Sequence, residues 1–400
     1  MIIHRVPDCH GGYAVSYDIN TARELVLKAC KELRDKKLIV RTWGNISART
    51  DDGHIAITPS GRDYDTLSAE DIVITDMDGK YEGDVKPSSE LGVHLECYRL
   101  RPDVNFVVHT HQTYASALSA LGMDIRLGPR VSDRIRSLIG PKIVCAEYGL
   151  NGSKKIRQAV GYTIETNPHT NHVLMRNHGV VCLGTDYDNA FHIALTLEKL
   201  CEKIYDYYCS DGAPLVEQLK QRKEFKAAQE ARTNAPDATQ EERTDTVQSE
   251  DTSAEPIRVV QCIPDGIDPA GEPYGLWILH VRTPYVLKMS ERDETMKAYL
   301  DDLAQITGPS VGCVSAGADR ATLFKVMGKG NAVLVEGDGA YCTGVSYDEA
   351  LCVAEVLEKG AVAAYVSTIR GVEPIPLYDA IIDRYKYVKK YSKLKESDQK

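Results

Sequence analysis

Apolar positions along this chain follow two periods. From about Ile19 to Asp206, short runs of β-branched and aromatic residues alternate with longer segments whose apolar side chains recur every three to four positions. The run Val104-Asn105-Phe106-Val107-Val108 reads as a strand, and Asn171–Cys182 reads as another. Helices are predicted around Thr21–Leu38, over Ser89–Arg101, and over Asp188–Tyr208. In the last of these, Ala190, Ile193, Ala194, Leu197, Leu200, Cys201 and Ile204 fall on one face. Strands alternating with amphipathic helices place the chain in the α/β class.

The pattern breaks after residue 210. Pro214–Arg232 is charged and predicted helical, whereas Thr233–Glu255 has almost no large apolar side chains and is rich in Asp, Glu, Thr, Ser and Gln. Such a stretch buries too little surface to order itself and reads as a flexible linker. At 400 residues the chain is also too long for one typical core. The expected organisation is a first domain over 1–210, a charged helix and linker over 211–255, and a second domain over 256–400.

The second domain reads as a worn and shorter copy of the first. The segment beginning Leu174-Met175-Arg176-Asn177-His178-Gly179 matches the one beginning Leu334-Val335-Glu336-Gly337-Asp338-Gly339, and the match extends through Leu197-Glu198-Lys199 against Leu357-Glu358-Lys359. Upstream, Gly140-Pro141 fits Gly308-Pro309, and the segment Phe106–Tyr114 fits Trp277–Tyr285. Three blocks in the same order indicate internal duplication.

Composition narrows the function. A formal net charge of −10 argues against nucleic acid as a partner, because phosphate backbones need a basic face. No apolar stretch is long enough to cross a bilayer, so no membrane association is expected. Eleven cysteines without C-x-x-C pairs, several of them in apolar runs, and no recognisable secretory leader suggest a reducing, cytoplasmic setting.

The candidate chemistry lies in the first domain. His109 and His111 follow the predicted strand two residues apart, so both imidazoles can face one ion, and His178 can join them from a neighbouring strand. Three protein ligands with an open position form the catalytic zinc pattern. A lone His-x-His is usually structural; the neighbouring motifs raise its weight. Thr42-Trp43-Gly44-Asn45-Ile46-Ser47, Thr58-Pro59-Ser60-Gly61 and Lys86-Pro87-Ser88-Ser89-Glu90 each join a turn to small hydroxyl or amide side chains. Such segments present donors to an anion, and a helix opening at Ser88-Ser89 adds the favourable end of its dipole.

The order Thr-x-Gly-Asn-x-Ser, Thr-Pro-Ser-Gly, Pro-Ser-Ser-Glu, His-Thr-His and Asn-His-Gly resembles the class II aldolase/adducin head family over residues 20–210, and within it the fuculose-1-phosphate and rhamnulose-1-phosphate aldolases. The resemblance implies a three-layer α/β/α sandwich with a mostly antiparallel central sheet, and a homo-oligomer with sites at subunit interfaces. It implies Zn2+ held by His109, His111 and His178, Glu90 as catalytic acid/base, and Asn45, Ser60, Gly61, Ser88 and Ser89 around a substrate phosphate. The implied reaction cleaves a phosphorylated ketose to dihydroxyacetone phosphate and an aldehyde through a metal-stabilised enediolate. A ketose-1-phosphate dehydratase and a non-catalytic, adducin-like assembly protein are the alternatives.

Two features depart from the pattern: a tyrosine is missing from the first domain, and the C-terminal segment that often completes the family's site here continues into a linker and a copy that has lost its ligands. The stretch Arg126–Ile139, where phosphosugar aldolases carry a proton-donating tyrosine, has four arginines and no tyrosine. In the second domain His109 keeps a counterpart in His280, but His111 becomes Arg282 and His178 becomes Asp338. A guanidinium cannot ligate a metal, so the copy is expected to be metal-free and structural or regulatory.

Overall fold

The computed structural model of the protein describes residues 4–7, 13–40, 43–211, 255–267 and 273–391. The helix expected over Pro214–Arg232 and nearly all of the Thr233–Glu255 linker lie outside those residues.

The first half forms a seven-stranded sheet: β1 Gly44–Arg49, β2 Ile55–Ile57, β3 Val73–Thr75, β4 Phe106–Thr110, β5 Cys145–Ala146, β6 His172–Met175 and β7 Gly179–Gly184. The strands lie in the order β3-β2-β1-β4-β7-β6-β5. Every neighbour pair is antiparallel except β6 with β5, as expected. Six helices accompany it: α1 Ile19–Asp35, α2 Leu91–Leu100, α3 Thr113–Ser119, α4 Asp133–Ile139, α5 Lys154–Thr166 and α6 Tyr187–Asp211.

Side chains alternate across the sheet, which explains the three layers. Phe106 and Val108 of β4 pack with α1, α3 and α6, whereas Val107 packs with α2 and α5 on the opposite face. With both faces covered, β4 is buried at every position, so its sequence is a continuous apolar run. His109 falls on the Val107 side, facing α2.

The second half repeats this plan on β8 Ile257–Ile267, β9 Pro273–Val281, β10 Cys313–Val314, β11 Ala332–Val335 and β12 Gly339–Gly344. The order is β8-β9-β12-β11-β10, again with one parallel pair at the edge. Register is kept: Val181 stands opposite His109, and Tyr341 stands opposite His280. Its helices are α7 Pro284–Ser290, α8 Asp301–Thr307, α9 Arg320–Met327, α10 Tyr347–Arg370 and α11 Leu377–Lys386.

The matched blocks have structural causes. Gly140 and Gly308 close α4 and α8 at φ of 94° and 88°, and the proline after each prevents the helix from continuing. Glu198 accepts hydrogen bonds from the backbone N–H groups of Tyr114 and Ala115 at 2.8 and 3.0 Å. Glu358 does the same for Tyr285 and Val286 at 3.1 and 2.9 Å. Each glutamate thus satisfies the open N-terminus of the helix that follows the central strand.

The halves share a continuous apolar core, with α10 packed against α3 and the Tyr205 hydroxyl donating to the Val362 carbonyl at 3.0 Å. Among the described residues no helix is long and apolar enough to cross a membrane.

Candidate active site

Strand β4 ends at Thr110, and His109 and His111 project from the same face. The β6–β7 turn brings His178 against them: Asn177 adopts φ of 63°, and the His178 N–H donates to the Met175 carbonyl at 3.0 Å. Gly179 makes the approach possible, because a Cβ there would lie 2.4 Å from the Thr110 carbonyl oxygen. The His109 Nε2 is 2.9 Å from His111 Nε2 and 3.1 Å from His178 Nε2. All three rings are buried.

Their tautomers follow from their outer partners. His109 Nδ1 faces the Val180 carbonyl at 3.0 Å, and a carbonyl only accepts, so Nδ1 carries the hydrogen and Nε2 a lone pair. His178 Nδ1 donates to the Asp301 carboxylate, which turns Nε2 toward His109 and Glu90. Glu90 completes the cluster, with Oε2 3.2 Å from His109 Nε2 and Oε1 3.0 Å from His178 Nε2. Nitrogen and oxygen atoms converging at these distances need a proton or a metal cation among them. Tetrahedral zinc with bonds of ~2.0–2.1 Å separates its nitrogens by ~3.3 Å, close to the spacing seen here. The residues fit a divalent metal ion, and His109, His111 and His178 form one metal-competent group.

Glu90 occupies the N-cap position of α2, which begins at Leu91, two residues later than the predicted start at Ser89. The turn before it is closed by the Leu91 N–H on the Ser88 carbonyl at 3.0 Å and the Glu90 N–H on Ser88 Oγ at 3.2 Å. Burial opposes the Glu90 charge, but His109 and His178 prevail and hold the carboxyl well below its ordinary range. Burial likewise opposes charge on His178, yet Asp301 and Glu90 hold that imidazole well above its usual value. His111 is held well below, chiefly by burial.

A buried relay that sequence reasoning missed fixes the other side of Glu90. Asn45 Nδ2 donates to Glu90 Oε2 at 2.8 Å, and Asn45 Oδ1 lies 2.5 Å from His94 Nε2. His94 Nδ1 lies 2.6 Å from Ser47 Oγ, which is 2.8 Å from the Tyr98 hydroxyl. Burial pushes His94 down to about 3, so the ring is neutral, donates from Nε2 and accepts at Nδ1. The signal was the spacing of Glu90 and His94, one helical turn apart.

The expected phosphate segments lie side by side. The Ser60 N–H donates to the Lys86 carbonyl at 2.9 Å, and the Ser88 N–H donates to the Thr58 carbonyl at 3.0 Å. Gly61, at φ of 72°, and Ser89 are exposed, Ser60 is half-buried and Ser88 is buried. Asn45, expected at the phosphate, has its amide hydrogen-bonded to Glu90 and His94. Of the four arginines in Arg126–Ile139, three are exposed, while Arg136 folds back on carbonyls of Val131 and Leu127.

The second half supplies further neighbours that no motif had marked. Besides Asp301 on His178, Asp302 Oδ2 lies 3.5 Å from His111 Nδ1 and is ion-paired to Lys359. Asp383, beyond Asp301, is pushed up to about 7 by burial and by the Asp301 charge. At the corresponding place in the copy, His280 Nε2 lies 2.8 Å from the Asp338 carbonyl, and Arg282 pairs with the Asp338 carboxylate.

Residues 24–205 and 276–365 match the Class II Aldolase and Adducin N-terminal domain. The chain belongs to this family. Both halves carry the match, so the repeat is a second copy of the aldolase-type unit. The 5-deoxy-D-ribulose 1-phosphate aldolase of Bacillus thuringiensis serovar kurstaki is 38% identical over 194 residues, which cover 48% of this chain and 87% of that protein. A solved L-fuculose 1-phosphate aldolase is 31% identical, covering 48% of this chain and 88% of its own, with a TM-score of 0.43. The L-fuculose-1-phosphate aldolase from Thermus thermophilus is 24% identical, covering 48% of this chain and 96% of its own, with a TM-score of 0.40. By family and curated relative, this protein is a lyase of the class II aldolase family.

Proposed function

We propose that this class II aldolase uses zinc and cleaves a phosphorylated ketose to dihydroxyacetone phosphate and an aldehyde. The observation that carries the reading is the convergence of three imidazoles and one buried carboxylate on a single point, with Nε2 of His109 and His178 turned inward. His109, His111 and His178 would hold the ion, leaving a position open to substrate. When bound, the ion supplies Lewis-acid stabilisation of the negative charge that cleavage develops on the sugar oxygens.

Glu90 is the proton carrier in this reading. Breaking the carbon–carbon bond requires removal of a hydroxyl proton and delivery of a proton to the freed carbon. Oε2 is tethered by Asn45, whereas Oε1 is held by no amide or hydroxyl and faces His178 Nε2 at 3.0 Å, so Oε1 is the atom assigned to hold and move the proton. Ser60, Gly61, Ser88 and Ser89 clasp the phosphate with short hydroxyls and backbone N–H groups near the start of α2. Asn45 anchors Glu90 in this state, and its amide becomes available to the phosphate when Glu90 turns away. The first domain, 1–210, carries the chemistry; 211–255 connects it to a second domain, 256–400, that lacks the ligand set.

The test is a panel of ketose 1-phosphates, beginning with 5-deoxy-ribulose 1-phosphate, assayed for dihydroxyacetone phosphate by a coupled dehydrogenase. Chelator-sensitive release of that product from any member supports the reading. A product lighter by one water would replace it with a dehydratase, and no turnover across the panel would sink it.

A further inference from the structure

We propose that the second half of the chain is a wall of the metal site, with Asp301 positioning His178 and Asp302, held by Lys359, positioning His111. The inference rests on the metal reading above and assigns the degenerate copy a part in it.

The contact is built rather than incidental. The His178 Nδ1 hydrogen bond to Asp301 is bracketed by two others: the Asp301 N–H donates to the Asn177 carbonyl at 2.9 Å, and Asn177 Nδ2 donates to the Tyr299 carbonyl at 2.8 Å. The start of α8 is thereby fixed to the turn that carries His178. Asp301 is 3% exposed and Asp302 1%, so neither is a solvated first-turn acid satisfying only its helix dipole. A carboxylate behind a ligating imidazole sets its tautomer, fixes its plane and raises its basicity.

The repeat supplies an internal control. Asp133 opens α4 as Asp301 opens α8, each seven residues before the closing glycine, yet Asp133 is exposed. Lys199 and Lys359 close the matched Leu-Glu-Lys blocks, yet Lys199 is exposed whereas Lys359 is 3% exposed. Fold alone does not require these positions to be buried or paired. They are buried only where the second half meets the histidines of the first.

Charge points the same way. The carboxylates of Glu90, Asp301 and Asp302 surround the three imidazoles, and the Lys359 ammonium answers one of them. Unbalanced buried charge is costly. The remaining carboxylate charge favours a cation among the three imidazoles.

The test uses the full-length protein and the variants Asp301→Asn and Asp302→Asn, with Asp133→Asn as control and Asp301→Glu as the conservative substitution. Zinc affinity is measured by competition with a chromophoric chelator, and ligand geometry by the visible absorption of the cobalt(II)-loaded protein. Asp301→Asn and Asp302→Asn should bind zinc ~10–100-fold more weakly and change the cobalt spectrum, while Asp133→Asn changes neither and Asp301→Glu recovers part of the affinity. Melting of the metal-free forms identifies a variant that fails to fold, in which case the other aspartate variant carries the test. Wild-type affinity and spectrum in the folded aspartate variants would overturn this inference alone. Absence of metal binding by the wild type would overturn the metal reading beneath it.

Discussion

His178 gives its Nδ1 hydrogen to Asp301, 123 positions further along the chain. One residue belongs to the proposed ligand set, and the other opens a helix of the degenerate copy. The copy has replaced the counterparts of His111 and His178 with Arg282 and Asp338, which neutralise each other. Its contribution to the first half comes instead from α8 and α10, through Asp301 and Asp302, which the repeat comparison had not marked, and Lys359, which it had.

Purified protein should hold about one zinc per chain, and His109→Ala should lose nearly all of it. His109 shares close contacts with both other rings and with Glu90, so its removal opens the centre of the cluster. Elemental analysis after dialysis measures this; equal zinc in both proteins would remove His109 from the ligand set.

Glu90→Gln should keep the metal and lose turnover by ~10²–10⁴-fold, because an amide cannot accept the proton. The replacement is nearly isosteric, and metal content and melting should stay near wild type. Undiminished kcat would rule out Glu90 as the base.

His94 should make the protein acid-sensitive. Burial lowers its folded value to about 3 from an ordinary 6.5, so between those limits the unfolded chain binds more protons than the native one. The stability it contributes is complete above pH 6.5 and is lost as pH falls toward 3, at up to ~1.4 kcal/mol per pH unit. Urea unfolding at pH 7, 6 and 5 should show a shallower decline for His94→Gln than for wild type. Parallel declines would contradict a neutral, buried His94.

Gly179→Ala should destabilise the fold by ~1–3 kcal/mol and weaken metal binding. The added methyl would meet the Thr110 carbonyl oxygen at 2.4 Å and lie 3.2 Å from the His109 ring, forcing the turn away from β4. Thermal melting and metal content together check this, and an unchanged melting temperature would show that the turn relaxes freely.

Much of this was legible because the signals are local. Period and burial wrote β4 as an apolar run, His109 and His111 share a face by strand geometry, and the Leu-Glu-Lys blocks persist because Glu198 and Glu358 cap equivalent helices. The helix start at Leu91 was misplaced by two residues, since Ser88 and Ser89 close a turn that presents Glu90 instead of entering the helix. His94 escaped notice because a histidine inside an amphipathic helix is ordinary, and only its spacing from Glu90, one turn earlier, pointed to the site. The resemblance places Asn45 at the phosphate, and only the tertiary structure shows its amide on Glu90 and His94.

The chain alone fixed the class of fold, the duplication and the residues able to ligate a metal, because alternation, helical spacing and ligand type are properties of short segments. Only the tertiary structure decided which nitrogen of each histidine turns inward and that Asp301, Asp302 and Lys359 stand behind them. Those outcomes depend on contacts between segments far apart in the chain, 71 positions for His109 with Val180 and 123 for His178 with Asp301, and no local pattern encodes the partner of a buried charge.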